Sequence, residues 1–177
     1  MKRLLTIGCV LALFFTVAIP SYAQQKSWAI GLRLGDPTGL NVKKYFGKDH
    51  ALDINIGAYG GLYGVNRSYR NGNYRNAGFA VMINYLWQKP VGDAKGLKWY
   101  FGLGGQVTSR RYYYYYKNNY DYYENNVSTG ITGMIGLEYF IPKSPISVFV
   151  DASPYIELFP SAFAPNIQVG IGGRVNF

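Results

Sequence analysis

The stretch NIQVGIGGRVNF, residues 166–177, decides the fold. Ile167, Val169, Ile171, Gly173, Val175 and Phe177 fall on one face of an extended chain, and Gln168, Gly170, Gly172, Arg174 and Asn176 fall on the other. Successive side chains of a strand point to opposite faces, so this period of two marks a strand with one apolar and one polar side. The same rhythm recurs in SWAIGLRLG, LNVKKYF, ALDINIGAYG, GFAVMINYLW, KWYFGLGGQV, GITGMIGLEYF and ISVFVDAS. Only Lys44 interrupts an apolar face, in LNVKKYF. Strong helix formers are sparse and Gly and Tyr abundant, a composition that favours strands.

Eight such segments predict an all-β fold, an eight-stranded antiparallel up-and-down transmembrane β-barrel. Each segment has roughly the nine to eleven residues that a tilted transmembrane strand needs, and single-chain outer-membrane barrels have an even strand count. The connections alternate. Gly35-Asp36-Pro37-Thr38-Gly39, GLYGVNRSYRNGNYRN, RRYYYYYKNNYDYYENN and YIELFPSAFAPN fall at one end, three of them reading as long extracellular loops. GKDH, KPVGDAKGL and PKSP are turns at the other end, which also holds both termini and is expected to be periplasmic.

A soluble eight-stranded barrel would share the alternation. The polar face here is mostly Gly, Ala, Ser, Asn and Gln with few charges, unlike a solvated surface. Small residues suit the crowded interior of a narrow barrel. Trp28, Phe46, Trp87, Trp99, Tyr139 and Phe177 stand at strand ends, where membrane barrels carry aromatic girdles.

The N-terminus predicts a cleaved secretory signal over residues 1–23, leaving a barrel domain over residues 24–177. Met1-Lys2-Arg3 is basic, Leu4 to Pro20 is apolar around LALFF, and Ser21-Tyr22-Ala23 offers a small-x-small site. Cys9 is expected to leave with the signal, so no disulfide or thiol nucleophile is expected in the barrel. Removing Lys2 and Arg3 from the 18 basic residues still leaves an excess over the 9 acidic ones.

The ending VGIGGRVNF resembles the C-terminal signal of bacterial outer-membrane barrels, with Phe177 as the terminal aromatic. Residues 26–177 resemble the small OmpA/OmpX-type eight-stranded barrels, and IGLRLGDPTGLNVKKYF is similar to openings of Bacteroidota-type outer-membrane barrels. The resemblance implies the outer membrane of a Gram-negative bacterium and insertion by the barrel-assembly machinery. It also implies a lipid and lipopolysaccharide environment.

Polar-face charges are expected inside: Arg33, Lys43, Asp53, Glu138, Asp151 and Arg174, three basic and three acidic. Buried charges must be paired, so they read as an internal salt-bridge network; a narrow gated pore is the sharper alternative. A lipid-modifying enzyme is disfavoured. Small barrel enzymes work with a histidine near the outer rim, where its proton exchange near neutral pH is useful. The single His50 lies in GKDH, on the expected periplasmic side, as a solvated turn residue. No catalytic residue, metal site or cofactor is expected, and nothing points to nucleic acid.

The loops carry the recognition chemistry. Arg67, Arg70 and Arg75 are interleaved with tyrosines and no acidic residue. Arg110 and Arg111 precede Tyr112, Tyr113, Tyr114, Tyr115 and Tyr116, and Tyr120, Tyr122 and Tyr123 follow, so a tyrosine-faced hairpin is expected to project past the membrane. Arginine pairs phosphates and carboxylates through two parallel bonds, and tyrosine gives rigid contact area. The expected role is non-enzymatic: contact with lipopolysaccharide, a surface glycan in adhesion, or a partner outer-membrane protein.

Overall fold

A computed structural model describes residues 26–60, 67–69, 72–74, 78–115, 121–160 and 163–177. The expected signal peptide, residues 1–23, lies outside the described residues, as do Arg70, Arg75, Tyr116 and Tyr120. Eight strands form the barrel: β1 (Trp28–Gly35), β2 (Thr38–Phe46), β3 (His50–Tyr59), β6 (Gly78–Pro90), β7 (Leu97–Tyr115), β8 (Asp121–Phe140), β9 (Ile146–Phe159) and β10 (Ala164–Asn176). Two short strands, β4 (Arg67–Tyr69) and β5 (Gly72–Tyr74), stand between β3 and β6 in sequence. All pairings are antiparallel, and the sheet closes both through β7–β8 and through β1–β10. Trp28 and Phe177 finish the β1–β10 seam with reciprocal backbone hydrogen bonds of 3.1 and 2.8 Å.

Closure is sheared. The register leads from Ala29 through Lys43, Asp53, Asn84, Gly104, Thr132, Tyr155 and Asn166. Gly35 already faces Gly170, so Asn166 projects past the loop end of β1. Such a stagger tilts strands by roughly 35–45° and leaves an eight-stranded interior that side chains can fill.

Burial follows the alternation. Ala80, Met82, Asn84, Leu86 and Gln88 are buried on β6, while Phe79, Ile83 and Tyr85 are exposed. Apolar side chains remain outward on every barrel strand, with Leu32 at 66%, Leu103 at 63% and Ile167 at 68% exposure. An apolar surface that encircles a protein is far larger than a monomer tolerates in water and matches a lipid environment. Trp28, Phe46, Trp87, Trp99, Tyr139 and Phe177 all stand at the end that carries the termini, the terminus end below. Trp87 and Trp99 each stack on Phe101, with centroids 5.6 and 5.2 Å apart.

Two glycines show why the inner face is small. A Cβ on Gly136 would lie 2.5 Å from both Tyr100 Cζ and the Val150 carbonyl oxygen, so only glycine lets the inward tyrosine lie against the wall. A Cβ on Gly170 would lie 2.3 Å from Arg33 Cζ.

Two connections depart from the sequence reading. YIELFPSAFAPN is not a long loop: β9 continues through Pro154 to Phe159, and β10 begins at Ala164. Proline cannot donate to a ladder, yet Pro154 is accommodated within β9. It points outward opposite Ile167, and the β8–β9 ladder skips the positions facing it before resuming at Thr132–Tyr155. The segment GLYGVNRSYRNGNYRN, read as a loop, contains the β4–β5 hairpin.

Candidate functional site

Two places gather chemistry: the barrel interior and a sheet at the loop end. The inward charges come from six strands, because the strand tilt brings residues that are far apart in sequence together. Glu138 of β8 is the hub. One carboxylate oxygen accepts from Arg174 Nη1 at 2.8 Å, Tyr45 OH at 2.9 Å and Ser147 Oγ at 3.0 Å. The other accepts from Lys43 Nζ at 2.7 Å and Gln88 Nε2 at 3.4 Å. Arg174 spans to Asp53 through Nη2 at 2.7 Å, and its Nε donates to Asn41. Asp53 also accepts from Asn41 Nδ2 at 3.0 Å and Asn55 Nδ2 at 2.6 Å. Arg174 lies over the Phe149 ring at 3.6 Å and Lys43 over the Tyr100 ring at 4.4 Å.

Arg33 and Asp151 make a second pair, Nη2 to Oδ1 at 2.6 Å. Arg33 Nη1 also donates to the Pro37 carbonyl at 2.8 Å, which ties the β1–β2 turn to the barrel wall. All six sequence-predicted inward charges are therefore buried and paired, with equal numbers of each sign. Charges withdrawn from water need this pairing, since a lone one costs several kcal/mol, on the order of 3–5.

Sequence reasoning missed part of this interior. Glu157, assigned to a loop, is buried on β9 and accepts from Ser128 Oγ at 3.2 Å, while Ser128 Oγ also meets Tyr155 OH at 2.8 Å. Asp36, read as a plain turn residue, is buried and accepts from the Gly60 N–H at 2.7 Å. Asn166 Nδ2 donates to Tyr59 OH at 2.5 Å. The period-two pattern continued past Pro154 was the available signal for Tyr155 and Glu157. Nothing local marked Asp36.

His50 also departs from expectation. It is the first residue of β3, paired with Phe46 and Trp87, rather than a solvated turn residue. Its Nδ1 is 3.1 Å from Tyr85 OH, within the outward aromatic belt at the terminus end. Among the described residues no group of three or more His, Cys, Asp or Glu could hold a metal ion.

At the loop end, β7 and β8 run past the barrel together, pairing Arg110 with Asn126, Arg111 with Asn125, Tyr112 with Glu124, Tyr113 with Tyr123 and Tyr114 with Tyr122. The outer half of β7 also pairs with β5, Tyr74 with Tyr112 and Gly72 with Tyr114. β4 adds to β5 through Arg67 and Tyr74. The order β4-β5-β7-β8 thus joins two segments, read separately in the sequence, into one sheet. Arg67, Arg110, Arg111, Tyr112, Tyr113, Tyr114, Tyr115, Tyr122 and Tyr123 all stand on its strands.

No protein-family model matches the chain. No curated protein matches it either. Solved structures do. The N-terminal β-barrel domain of Pseudomonas aeruginosa OprF aligns with a TM-score of 0.62 at 14% identity, covering 87% of this chain and 100% of that domain. Ail, the attachment invasion locus protein of Yersinia pestis, aligns with a TM-score of 0.46 at 13% identity, covering 85% of this chain and 93% of its own. The likeness to the OprF domain is one of fold, and it agrees with the closed register and the apolar belt: this chain has the eight-stranded β-barrel fold seen in that outer-membrane domain.

Proposed function

We propose that the protein is a non-enzymatic barrel of a Gram-negative outer membrane whose loop-end sheet contacts lipopolysaccharide, surface glycans or a partner outer-membrane protein. The observation that carries this reading is the β5–β7 pairing, which joins strands from the two Arg/Tyr-rich segments into a single sheet. In this reading both termini are periplasmic and the signal over residues 1–23 is removed. Phe177 is read by the barrel-assembly machinery. The IGLRLGDPTGLNVKKYF opening supports a Bacteroidota-type source.

Arg67, Arg70, Arg75, Arg110 and Arg111 supply bidentate donors for phosphates or carboxylates, and the tyrosines supply rigid contact area. Replacing Arg67, Arg70 and Arg75 with Gln is expected to lower lipopolysaccharide retention in mild detergent extracts on the order of 100-fold, at about 1 kcal/mol for each of the three charges near the membrane surface. Unchanged retention would exclude the lipid clamp. Trimming residues 112–123 is expected to abolish adhesion or partner capture while the heat-modifiable barrel band persists; retained capture would exclude the hairpin as the contact.

The gated pore is the second reading. The Arg174–Glu138–Lys43 network stands in its way, because ion passage requires breaking bonds of 2.7 and 2.8 Å in a charge-balanced cluster.

A further inference from the structure

The outward face carries almost no charge, and the exceptions form a row. Among the described residues of the barrel strands, leaving aside the loop-end extension of β7 and β8 over residues 110–126, the outward side chains able to carry positive charge are Lys44, His50 and Lys89, and no carboxylate joins them. They lie on β2, β3 and β6, which are neighbours in the sheet. His50 faces Phe46 across the β2–β3 ladder, two positions from Lys44. It faces Trp87 across the β3–β6 ladder, two positions from Lys89. Each base is thus the diagonal neighbour of the next, a spacing of about 7–8 Å. The row sits at the terminus end, interleaved with Trp28, Phe46 and Trp87.

We infer that Lys44, His50 and Lys89 bind the phosphate groups of glycerophospholipids in the leaflet at the terminus end of the barrel. A lone ammonium facing hydrocarbon is costly, and a lysine near the end of a membrane strand escapes by reaching the headgroup layer. Lys44 Nζ lies over the Trp28 ring at 4.8 Å and the Phe46 ring at 5.3 Å. Those rings hold it at the belt edge, and no ion-pair partner among the described residues neutralises it. His50 is oriented by Tyr85. A Tyr85 hydroxyl that donates to Nδ1 leaves the imidazole proton on Nε2, where it can donate to a phosphate oxygen.

The surrounding rim favours the same ligand. Exposed Lys48, Lys95 and Lys143 stand in or beside the terminus-end turns against Asp49 and Asp93. Acyl chains would continue along the outward face past Leu52, Ile54 and Ile83. A phosphate-bearing lipid meets both the basic row and the apolar wall behind it.

The test refolds the barrel into vesicles, then transfers it to mild detergent for native mass spectrometry. It is titrated with phosphatidylglycerol and, in parallel, with a galactosyl diacylglycerol of the same chains. The expected result is preferential retention of the phosphate lipid, weakened about fivefold by Lys44→Gln or Lys89→Gln and more by both together. His50→Gln is expected to weaken it too. Equal retention of the two lipids, or unchanged retention in the double lysine variant, overturns the row. The inference rests on the membrane reading, and a heat-modifiable band from the same sample keeps the two separable. No such band after refolding sinks the membrane reading itself, whereas a proper band without lipid preference sinks only the row.

Discussion

Glu138→Gln is the sharpest probe of the interior. In the native cluster Lys43 and Arg174 balance Asp53 and Glu138. Glutamine keeps the shape and removes the negative charge. Arg174 retains Asp53 at 2.7 Å, but Lys43 loses the carboxylate at 2.7 Å and is left over the Tyr100 and Tyr45 rings. A buried cation stripped of its partner costs about 3–5 kcal/mol. Lys43→Met alone is expected to be milder, because Glu138 keeps Arg174, Tyr45 and Ser147. The double variant Lys43→Met, Glu138→Gln should then be more stable than the sum of the single effects by about 2 kcal/mol or more, since each change removes the partner the other leaves stranded. The assay is urea unfolding from lipid vesicles followed by tryptophan fluorescence. Trp28, Trp87 and Trp99 all sit on the outer face at one end and report loss of the lipid contact together. A cost below about 1 kcal/mol for Glu138→Gln, or additivity within about 0.5 kcal/mol, would refute the claim that this hub is a coupled network.

Other perturbations follow from the same geometry. Gly136→Ala drives a methyl group against the Tyr100 ring and the Val150 carbonyl, and should cost about 1–3 kcal/mol in the same unfolding assay. Gly105→Ala is its control: nothing lies nearer than 3.5 Å to its Cβ, so it should be close to neutral. In planar bilayers the wild-type barrel is expected to show no steady single-channel openings. Openings that persist in the wild type and vanish in an Asp53 or Glu138 variant would favour a conducting path through the cluster. Asp151→Asn should release the β1–β2 turn through Arg33, seen as faster hydrogen exchange at the Gly35, Asp36 and Thr38 amides; unchanged exchange there would argue that Pro37 is held independently.

Much of the fold was legible because a barrel wall obeys a local rule. Each residue of a strand faces in or out according to its parity, so Arg33, Lys43, Asp53, Glu138, Asp151 and Arg174 could be placed inside without knowing a neighbour. The rule failed where backbone chemistry implied a break that did not occur. The alternating segment ISVFVDAS stops at Ser153, six residues short of the end of β9, and so leaves out Glu157. His50 was assigned to the turn it only borders. The β4–β5 hairpin was invisible because its three-residue strands are too short to show a period.

By itself, the sequence determined the strand count, the closed antiparallel class, the apolar exterior and the identity of most inward charges, all consequences of parity and composition. Only the tertiary structure decided who meets whom. Lys43 and Glu138 are 95 residues apart, and Arg174 and Asn41 are 133 apart. Their encounter depends on the stagger accumulated around the whole barrel, which no single strand encodes. The joining of the β4–β5 hairpin to the tyrosine hairpin and the diagonal of Lys44, His50 and Lys89 have the same origin. Both need the register between strands, and register is set when the sheet closes.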